Sequence, residues 1–307
     1  MHTPSAPVPV IVAVVGPTAA GKSDLGVALA QTLGGEVVNA DSMQLYRGMD
    51  IGTAKLSPAE RGGIVHHLLD IWDVRENASV ADYQQRARAC VDRLREVGTV
   101  PVLVGGSGLY VRAVLDDLEF PGSFPAIRER LEAELVEVGP APLHARLARL
   151  DPEAAGRILP SNGRRIVRAL EVVEATGRPF SATLPVPRYV APAVQLGLQV
   201  PRPELDVRID RRVELMWEQG LVEEVRRLEG AGLREGRTAS RALGYAQVLR
   251  HLAGQWTEQQ AREETARATR RFARRQESWF RRDPRVRWLP YDAPDLLEQA
   301  LALIAKG

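Results

Sequence analysis

The sequence predicts an α/β fold, in which a parallel sheet carries helices on both of its faces and is interrupted by a helical insertion. Short runs rich in β-branched residues alternate with helical patterns along the 307 residues, as in sheets whose parallel strands are joined by helices. A glycine-rich loop joins the first such run to a helix. Between residues 118 and 192 only helical patterns remain. We therefore expect residues 1–117 and 193–307 to form one discontinuous core, and residues 118–192 a second domain.

Composition limits the classes of protein to consider. A hydrophobic content of 45% is sufficient for a substantial core, and the net charge is only +2. The single cysteine, Cys90, excludes a disulfide framework and a cysteine zinc site. No stretch is long and apolar enough to span a membrane, so we expect a cytoplasmic protein with no membrane partner. Ten arginines and four acidic residues between Arg262 and Arg287 suggest an anionic partner for the C-terminal part.

The first strand, residues 10–15, leads into a loop that fits the phosphate-binding pattern Gly-x-x-x-x-Gly-Lys-Ser/Thr. In such loops the backbone N–H groups and the N-terminus of the following helix, here residues 24–33, face the phosphates. The lysine reaches the outer phosphates, and the final hydroxyl suits a Mg²⁺ ligand. A plain glycine-rich turn is the competing interpretation. The predicted phosphate-binding residues are Gly16, Pro17, Thr18, Ala19, Ala20, Gly21, Lys22 and Ser23.

A second strand, residues 36–40, ends at Asp41. Ligands of open α/β sheets lie beyond the carboxyl ends of the strands, so Asp41 is predicted to face the same crevice as the phosphate loop. A carboxylate there could hold a metal ion or accept a proton. An ordinary turn or helix-capping aspartate is equally compatible with this position.

The next segments complete the N-terminal half of the core. His66 and His67 are adjacent, and side chains that are adjacent in a strand point to opposite faces, which disfavours a shared metal ion. Residues 80–97 are predicted to be an amphipathic helix, and residues 100–104 a core strand. Residues 105–108 then form a second glycine-rich turn into a helix, which could be a second anion site or a wall of a substrate channel.

The insertion is predicted to contain four helices, at residues 126–138, 143–150, 152–159 and 164–176. Arg164 and Arg168 are four residues apart and therefore share a helix face. This face could contact the phosphates of a nucleic acid, or it could simply be solvated.

The C-terminal part returns to the core. We expect a strand at residues 193–200, one long helix at 204–228, a loop at 238–245, a helix at 257–282 and a last strand at 286–289. The helix at 257–282 is rich in arginine and ends near aromatic residues, a combination that suits phosphate and base contacts. An ordinary amphipathic helix in an arginine-rich chain explains the same pattern.

Six segments together resemble one family, the bacterial tRNA dimethylallyltransferases, also called tRNA isopentenyltransferases. The resemblance extends from about residue 10 to residue 289, and its most specific segment follows Asp41. The matching segments are residues 16–23, 41–55, 66–70, 105–110, 164–172 and 268–276.

The resemblance implies a kinase-like P-loop core whose helical insertion binds the anticodon stem-loop of tRNA. It implies transfer of a dimethylallyl group from dimethylallyl diphosphate to the exocyclic N6 amine of the adenosine immediately 3′ of the anticodon. Pyrophosphate leaves, Mg²⁺ is the cofactor, and the enzyme is expected to be a monomer. The phosphate loop, which usually binds nucleoside triphosphates, would here hold the diphosphate donor.

The resemblance also implies roles for individual residues. Asp41 would be the general base, with Thr18, Lys22 and Arg212 acting on the diphosphate as further catalytic residues, and Ser23 and Asp41 would hold the metal ion. The expected tRNA-binding residues are two single positions and three stretches of the chain: Ser107; Arg128; Asp41, Ser42, Met43 and Gln44; Arg164, Arg165, Ile166, Val167 and Arg168; and Arg241, Ala242, Leu243, Gly244, Tyr245 and Ala246.

The sequence departs from the family pattern at several positions. Ser23 and Ser107 replace the usual threonines but keep the hydroxyl group, whereas residues 160–163 depart from the usual Pro-Asn-Asp run. Two other functions fit the loop alone: an ATP-dependent kinase of small molecules, and a non-catalytic RNA-binding protein. The arginine-rich segments argue against the first, and Asp41 beside the loop argues against the second.

Overall fold

The computed structural model describes residues 9–183 and 187–306. The chain divides into two compact units, one formed by Met1–Leu115 with Ala191–Gly307 and the other by Asp116–Val190. The insertion expected from the sequence, residues 118–192, begins and ends two residues later than this second unit.

The first unit is built on a six-stranded sheet in which every pairing is parallel. The strands stand in the order β3-β2-β4-β1-β5-β6, so the strand that precedes the phosphate loop is central. The α/β class and the parallel sheet are therefore confirmed. The strands are β1 Ile11–Val15, β2 Gly35–Asn39, β3 His66–His67, β4 Val100–Gly105, β5 Ala193–Gln199 and β6 Val286–Pro290.

Helices join these strands and cover the sheet. All five residues of β1 are buried, as expected for a strand that is covered on both faces. The helices of the first unit are α1 Lys22–Leu33, α2 Val80–Glu96, α3 Gly108–Leu115, α8 Arg202–Glu218, α9 Leu221–Gly230, α10 Tyr245–Leu252, α11 Glu258–Phe280 and α12 Leu296–Ala305.

One predicted helix was wrong. The stretch 204–228 is not continuous but forms α8 and α9, which are separated at Gly220. Gly220 has φ +94°, a left-handed conformation that glycine adopts without the strain a side chain would add. The helical periodicity on both sides of the break concealed it.

The regular structure of the second unit consists mainly of α-helices, as predicted. It contains α4 Pro125–Val138, α5 Pro140–Leu150, α6 Pro152–Arg157 and α7 Gly163–Thr176. Its core includes Leu131, Leu143, Leu147, Ile166 and Leu170, which are fully buried at helical spacing on three of these helices. In the described part of the chain, no helix has the length and apolar character needed to cross a membrane.

The sheet determines where the functional loops meet. Because β1, β2 and β4 are parallel, the segments that follow them leave the same edge of the sheet. These segments are the phosphate loop, the segment beginning at Ala40 and the glycine-rich turn that begins at Gly105.

Candidate active site

A cleft of about 730 Å³ opens at this edge of the sheet, within the first unit. Its walls come from the phosphate loop, from the segment after β2, from the loop at residues 50–61, from the turn after β4 and from α8. It collects most of the residues that the sequence assigns to chemistry: Thr18, Lys22, Ser23, Asp41, Gln44 and Arg212.

Lys22 is the first residue of α1 and points back to its own loop. Its Nζ donates a hydrogen bond to the carbonyl oxygen of Pro17 at 2.7 Å. Burial, assisted by the nearby positive charge of Arg212 and opposed by Asp41, lowers the pKa of Lys22 to about 8. The ammonium group is therefore partly desolvated at the N-terminus of a helix, where an anion would stabilise it.

Asp41 is held by backbone hydrogen bonds. One of its carboxylate oxygens accepts from the backbone N–H of Met43 at 2.9 Å, and its own N–H donates to Oδ1 of Asn39 at 2.9 Å. Burial raises the pKa of Asp41, while the N–H of Met43 and the charge of Lys22 oppose the rise. A fixed carboxylate with a raised pKa is suited to accepting a proton.

Two arginines of α8 reach the phosphate loop. Arg212 donates to the hydroxyl oxygen of Thr18 at 3.3 Å, and Arg208 donates to the carbonyl oxygen of Ala19 at 2.8 Å. Burial and the nearby positive charge of Arg208 lower the pKa of Arg212. Sequence reasoning selected Arg212 but gave Arg208 no role.

The residues expected to line the path of the adenosine also come together. The Oγ of Ser107 accepts from the backbone N–H of Ser42 at 3.2 Å and donates to the Oγ of Ser42 at 3.2 Å. Gln44 donates from Nε2 to the carbonyl oxygen of Thr53 at 3.1 Å. The Ser42–Ser107 contact thus joins the segment after β2 to the turn after β4, and Gln44, which lines the cleft, is held against the loop at residues 50–61.

The predicted metal ligands, Ser23 and Asp41, both line the cleft. Among residues 9–183 and 187–306, no group of three or more His, Cys, Asp or Glu side chains could hold a metal ion. This donor set fits Mg²⁺, which proteins commonly bind through one or two side chains together with phosphate oxygens of the substrate. The two histidines of β3 have other partners: His66 Nδ1 lies 3.0 Å from the carbonyl oxygen of Ile64, and His67 pairs with Glu36.

In the insertion, only some predicted tRNA-binding residues are accessible. Arg164 and Arg165 are exposed on α7. Arg128 and Arg168 are partly exposed and approach the carboxylate of Glu171, at 2.6 and 3.1 Å, whereas the Glu171 side chain is fully buried.

Two residues of the same stretch have buried side chains. Ile166 and Val167 are buried in the core of the insertion, so their side chains support α7 and cannot contact RNA directly.

The stretch 241–246 also contains both accessible and buried residues. Arg241 is exposed, and Leu243 and Ala246 are partly buried, but Ala242, Gly244 and Tyr245 are buried. The hydroxyl of Tyr245 donates to Glu224 at 2.5 Å rather than reaching the surface. The Tyr245 side chain therefore packs inside the first unit.

Glu224 was missed by sequence reasoning. Its buried carboxylate accepts the backbone N–H groups of Asp50, Ile51 and Gly52 at 2.9–3.2 Å, and so anchors the loop that forms one wall of the cleft. A signal was available, because residues 221, 225 and 228 place position 224 on the buried face of α9. A glutamate within such an apolar stripe indicates a buried polar network.

Comparisons with known proteins identify the family of the chain. The family model described as "IPP transferase" matches residues 44–283. The chain is 70% identical over 303 residues to the tRNA dimethylallyltransferase of Thermobifida fusca (strain YX), covering 96% of this chain and 94% of that protein. It is 68% identical to the protein of the same name from Streptomyces coelicolor, covering 98% and 97% of the two chains.

Solved structures show the same fold. The tRNA isopentenylpyrophosphate transferase of Bacillus halodurans is 40% identical and superposes with a TM-score of 0.70, covering 97% of this chain and 95% of that one. A eukaryotic dimethylallyltransferase acting on tRNA is 24% identical, with a TM-score of 0.81, and covers 97% of this chain and 77% of that one. At that identity, the second likeness concerns the fold alone.

Proposed function

The chain belongs to the IPP transferase family, and we propose that it transfers the dimethylallyl group of dimethylallyl diphosphate to tRNA. The acceptor is the exocyclic N6 amine of the adenosine immediately 3′ of the anticodon, and pyrophosphate is released. The observation that carries the proposal is the cleft itself, which combines a phosphate loop with a fixed carboxylate, Asp41, at one edge of the sheet. The names of relatives about 70% identical over almost the whole chain support the same reaction.

The phosphate side of the cleft would bind the donor and stabilise the leaving group. As the carbon–oxygen bond of the donor breaks, negative charge accumulates on the pyrophosphate while the allylic cation is delocalised. Lys22, Arg212 and the N-terminus of α1 are positive groups already in place around that charge. Fixed groups of this kind stabilise the transition state without reorganisation.

Asp41 would accept a proton from the amine as the new carbon–nitrogen bond forms. An aromatic amine is a weak nucleophile, and a positioned base accelerates such steps by about 10²–10⁴-fold. Because Asp41 lies inside the cleft, the adenine must leave its stack to reach it, and we propose a flipped adenosine. Ser42, Met43, Gln44 and Ser107 would line the path of the base.

Mg²⁺ would be held by Ser23 and Asp41 together with oxygens of the diphosphate. When bound, it would neutralise part of the charge on the leaving pyrophosphate.

The insertion would bind the anticodon stem-loop. We propose contacts from the exposed residues Arg164 and Arg165 on α7 and Arg241 before α10, since phosphates are the groups that such arginines contact most often. The enzyme would act as a monomer, in the cytoplasm, where tRNA is used.

Mass spectrometry of tRNA nucleosides after incubation with dimethylallyl diphosphate and Mg²⁺ tests the proposal. The unchanged protein should yield adenosine carrying one dimethylallyl group. Asp41→Asn should bind donor and tRNA but lose two to four decades of turnover, roughly the contribution of a general base. Asp92→Asn, at an exposed aspartate on α2, is the matched control and should remain active.

The other outcomes are equally clear. Modified adenosine at a near-normal rate from Asp41→Asn would remove Asp41 as the base. Binding of tRNA without any product would favour an RNA-binding protein, and consumption of ATP with a small acceptor would favour a kinase.

A further inference from the structure

Gln276 lies on the arginine-rich helix α11, but its side chain points into the core of the first unit and is only 5% exposed. Its Oε1 accepts the backbone N–H of Thr18 at 2.9 Å, and its Nε2 donates to the carbonyl oxygen of Gly106 at 2.9 Å. The two ends of one amide thus join the phosphate loop after β1 to the glycine-rich turn after β4.

Two glycines of that second turn lie against side chains of α11. A Cβ at Gly106 would lie 2.2 Å from Nε2 of Gln276, and a Cβ at Gly108 would lie 2.1 Å from Nε1 of Trp279. The turn therefore leaves room for side chains of α11, and the sequence-based suggestion of a second anion site is not needed to explain it.

Thr18 links this contact to the donor site. Its backbone is held by Gln276, and its hydroxyl accepts from Arg212 at 3.3 Å. Both Thr18 and Gln276 line the cleft. Loss of the Gln276 amide would release the phosphate loop at Thr18, the residue to which Arg212 of α8 also donates a hydrogen bond.

We propose that Gln276 is a positioning residue for the diphosphate donor, which fixes the phosphate loop at Thr18 against the turn at Gly106. The inference rests on the proposed function, since it assigns Gln276 to the donor. A direct RNA contact, the role that its arginine-rich surroundings suggest, makes the opposite prediction, because it would alter tRNA affinity and leave the donor site unchanged.

Titration calorimetry with inorganic pyrophosphate and Mg²⁺, in the absence of tRNA, tests this assignment. Gln276→Ala should weaken pyrophosphate binding about tenfold, the effect expected from losing about one neutral hydrogen bond. Gln259→Ala, on an exposed glutamine of the same helix, is the matched control and should bind normally. The affinity for tRNA should be the same in all three proteins. In turnover assays, the KM for the donor should rise in Gln276→Ala only.

Gln276→Glu provides a second variant of nearly the same size, in case Gln276→Ala fails to fold. The carboxylate it introduces can still accept from Thr18 but opposes the carbonyl oxygen of Gly106. When protonated, the new carboxyl group can donate to that oxygen again. Its pyrophosphate affinity, expressed relative to the unchanged protein at each pH, should therefore be lowest near pH 8 and recover as the pH falls.

Normal pyrophosphate affinity in both variants would overturn the inference, as would a loss confined to tRNA affinity. An unchanged protein that binds no pyrophosphate would overturn the proposed function itself, which makes the two failures distinguishable.

Discussion

Raising the pH from 7 to 9 should weaken binding of the prenyl donor about tenfold through the loss of one proton from Lys22. Burial and the charge of Arg212 lower the pKa of this lysine to about 8. Roughly nine tenths of the molecules therefore carry the ammonium group at pH 7, and roughly one tenth at pH 9. If only the charged form holds the diphosphate strongly, the apparent affinity follows that fraction.

Calorimetry with dimethylallyl diphosphate alone measures this effect, because the donor is not consumed without tRNA. Lys22→Arg is the matched control, since a guanidinium stays charged over the whole range. Ionisation of the donor itself affects both proteins equally and cancels in their ratio. The ratio of the two affinities should change about tenfold between pH 7 and pH 9, and parallel curves would refute the reasoning.

The same shift predicts a stability effect of defined sign. The pKa of Lys22 in the folded protein, about 8, lies below the ordinary lysine value of 10.5, so the unfolded chain binds more protons between these values and stability rises with pH there. Below pH 8 the full penalty remains, at most about 3 kcal/mol. Lys22→Met should therefore raise the free energy of unfolding at pH 7 in urea denaturation, and an unchanged value would show that the lysine is better solvated than its surroundings indicate.

Two further predictions concern tRNA binding and the cleft wall. Arg164→Gln combined with Arg165→Gln should lower the slope of log affinity for tRNA against log salt by roughly 1.5–1.8, with donor affinity unchanged; a slope equal to that of the control Arg86→Gln would assign these arginines to a solvated surface. Glu224→Gln should destabilise the protein by about 1–3 kcal/mol in urea denaturation, because buried N–H groups lose their charged acceptor. Tyr245→Phe should cost less, about 1 kcal/mol, and equal stability of the unchanged protein and both variants would contradict the anchoring role of Glu224.

Local pattern was sufficient to predict the sheet and the position of the cleft. The β-branched run before the phosphate loop is the central strand, and Asp41 follows the next strand because parallel strands end at one edge. These inferences depend only on residues close together in sequence. The break at Gly220 was missed because helical periodicity continues on both sides of it.

Contacts between distant segments could not be predicted in this way. Gln276 meets Thr18 from 258 positions away, and Glu224 meets Gly52 from 172 positions away. The buried positions Ala273 and Phe280 place Gln276 on the buried face of α11, but this local pattern does not show which distant segments its amide meets. Ile166 and Tyr245 show the opposite case, since they lie in stretches that resemble RNA-binding segments but are buried.

The buried carboxylate of Glu171 has a consequence for how the insertion would meet an anion. Burial alone would raise its pKa, but the N–H of Phe124 and the guanidinium groups of Arg128 and Arg168 lower it, so the group stays ionised. Arg168 is also held by the carbonyl oxygens of Pro121 and Gly122, at 2.7 and 3.2 Å.

These two arginines are therefore ordered before any ligand arrives. A free arginine side chain loses about 2 kcal/mol of rotamer entropy when it is immobilised, and here much of that loss is already part of folding. The two arginines and Glu171 together carry one net positive charge rather than two. A phosphate bound at this cluster would meet a rigid surface that selects ligands by shape, and its binding would depend only weakly on salt. The exposed arginines of α7 would instead attract phosphates by their charge.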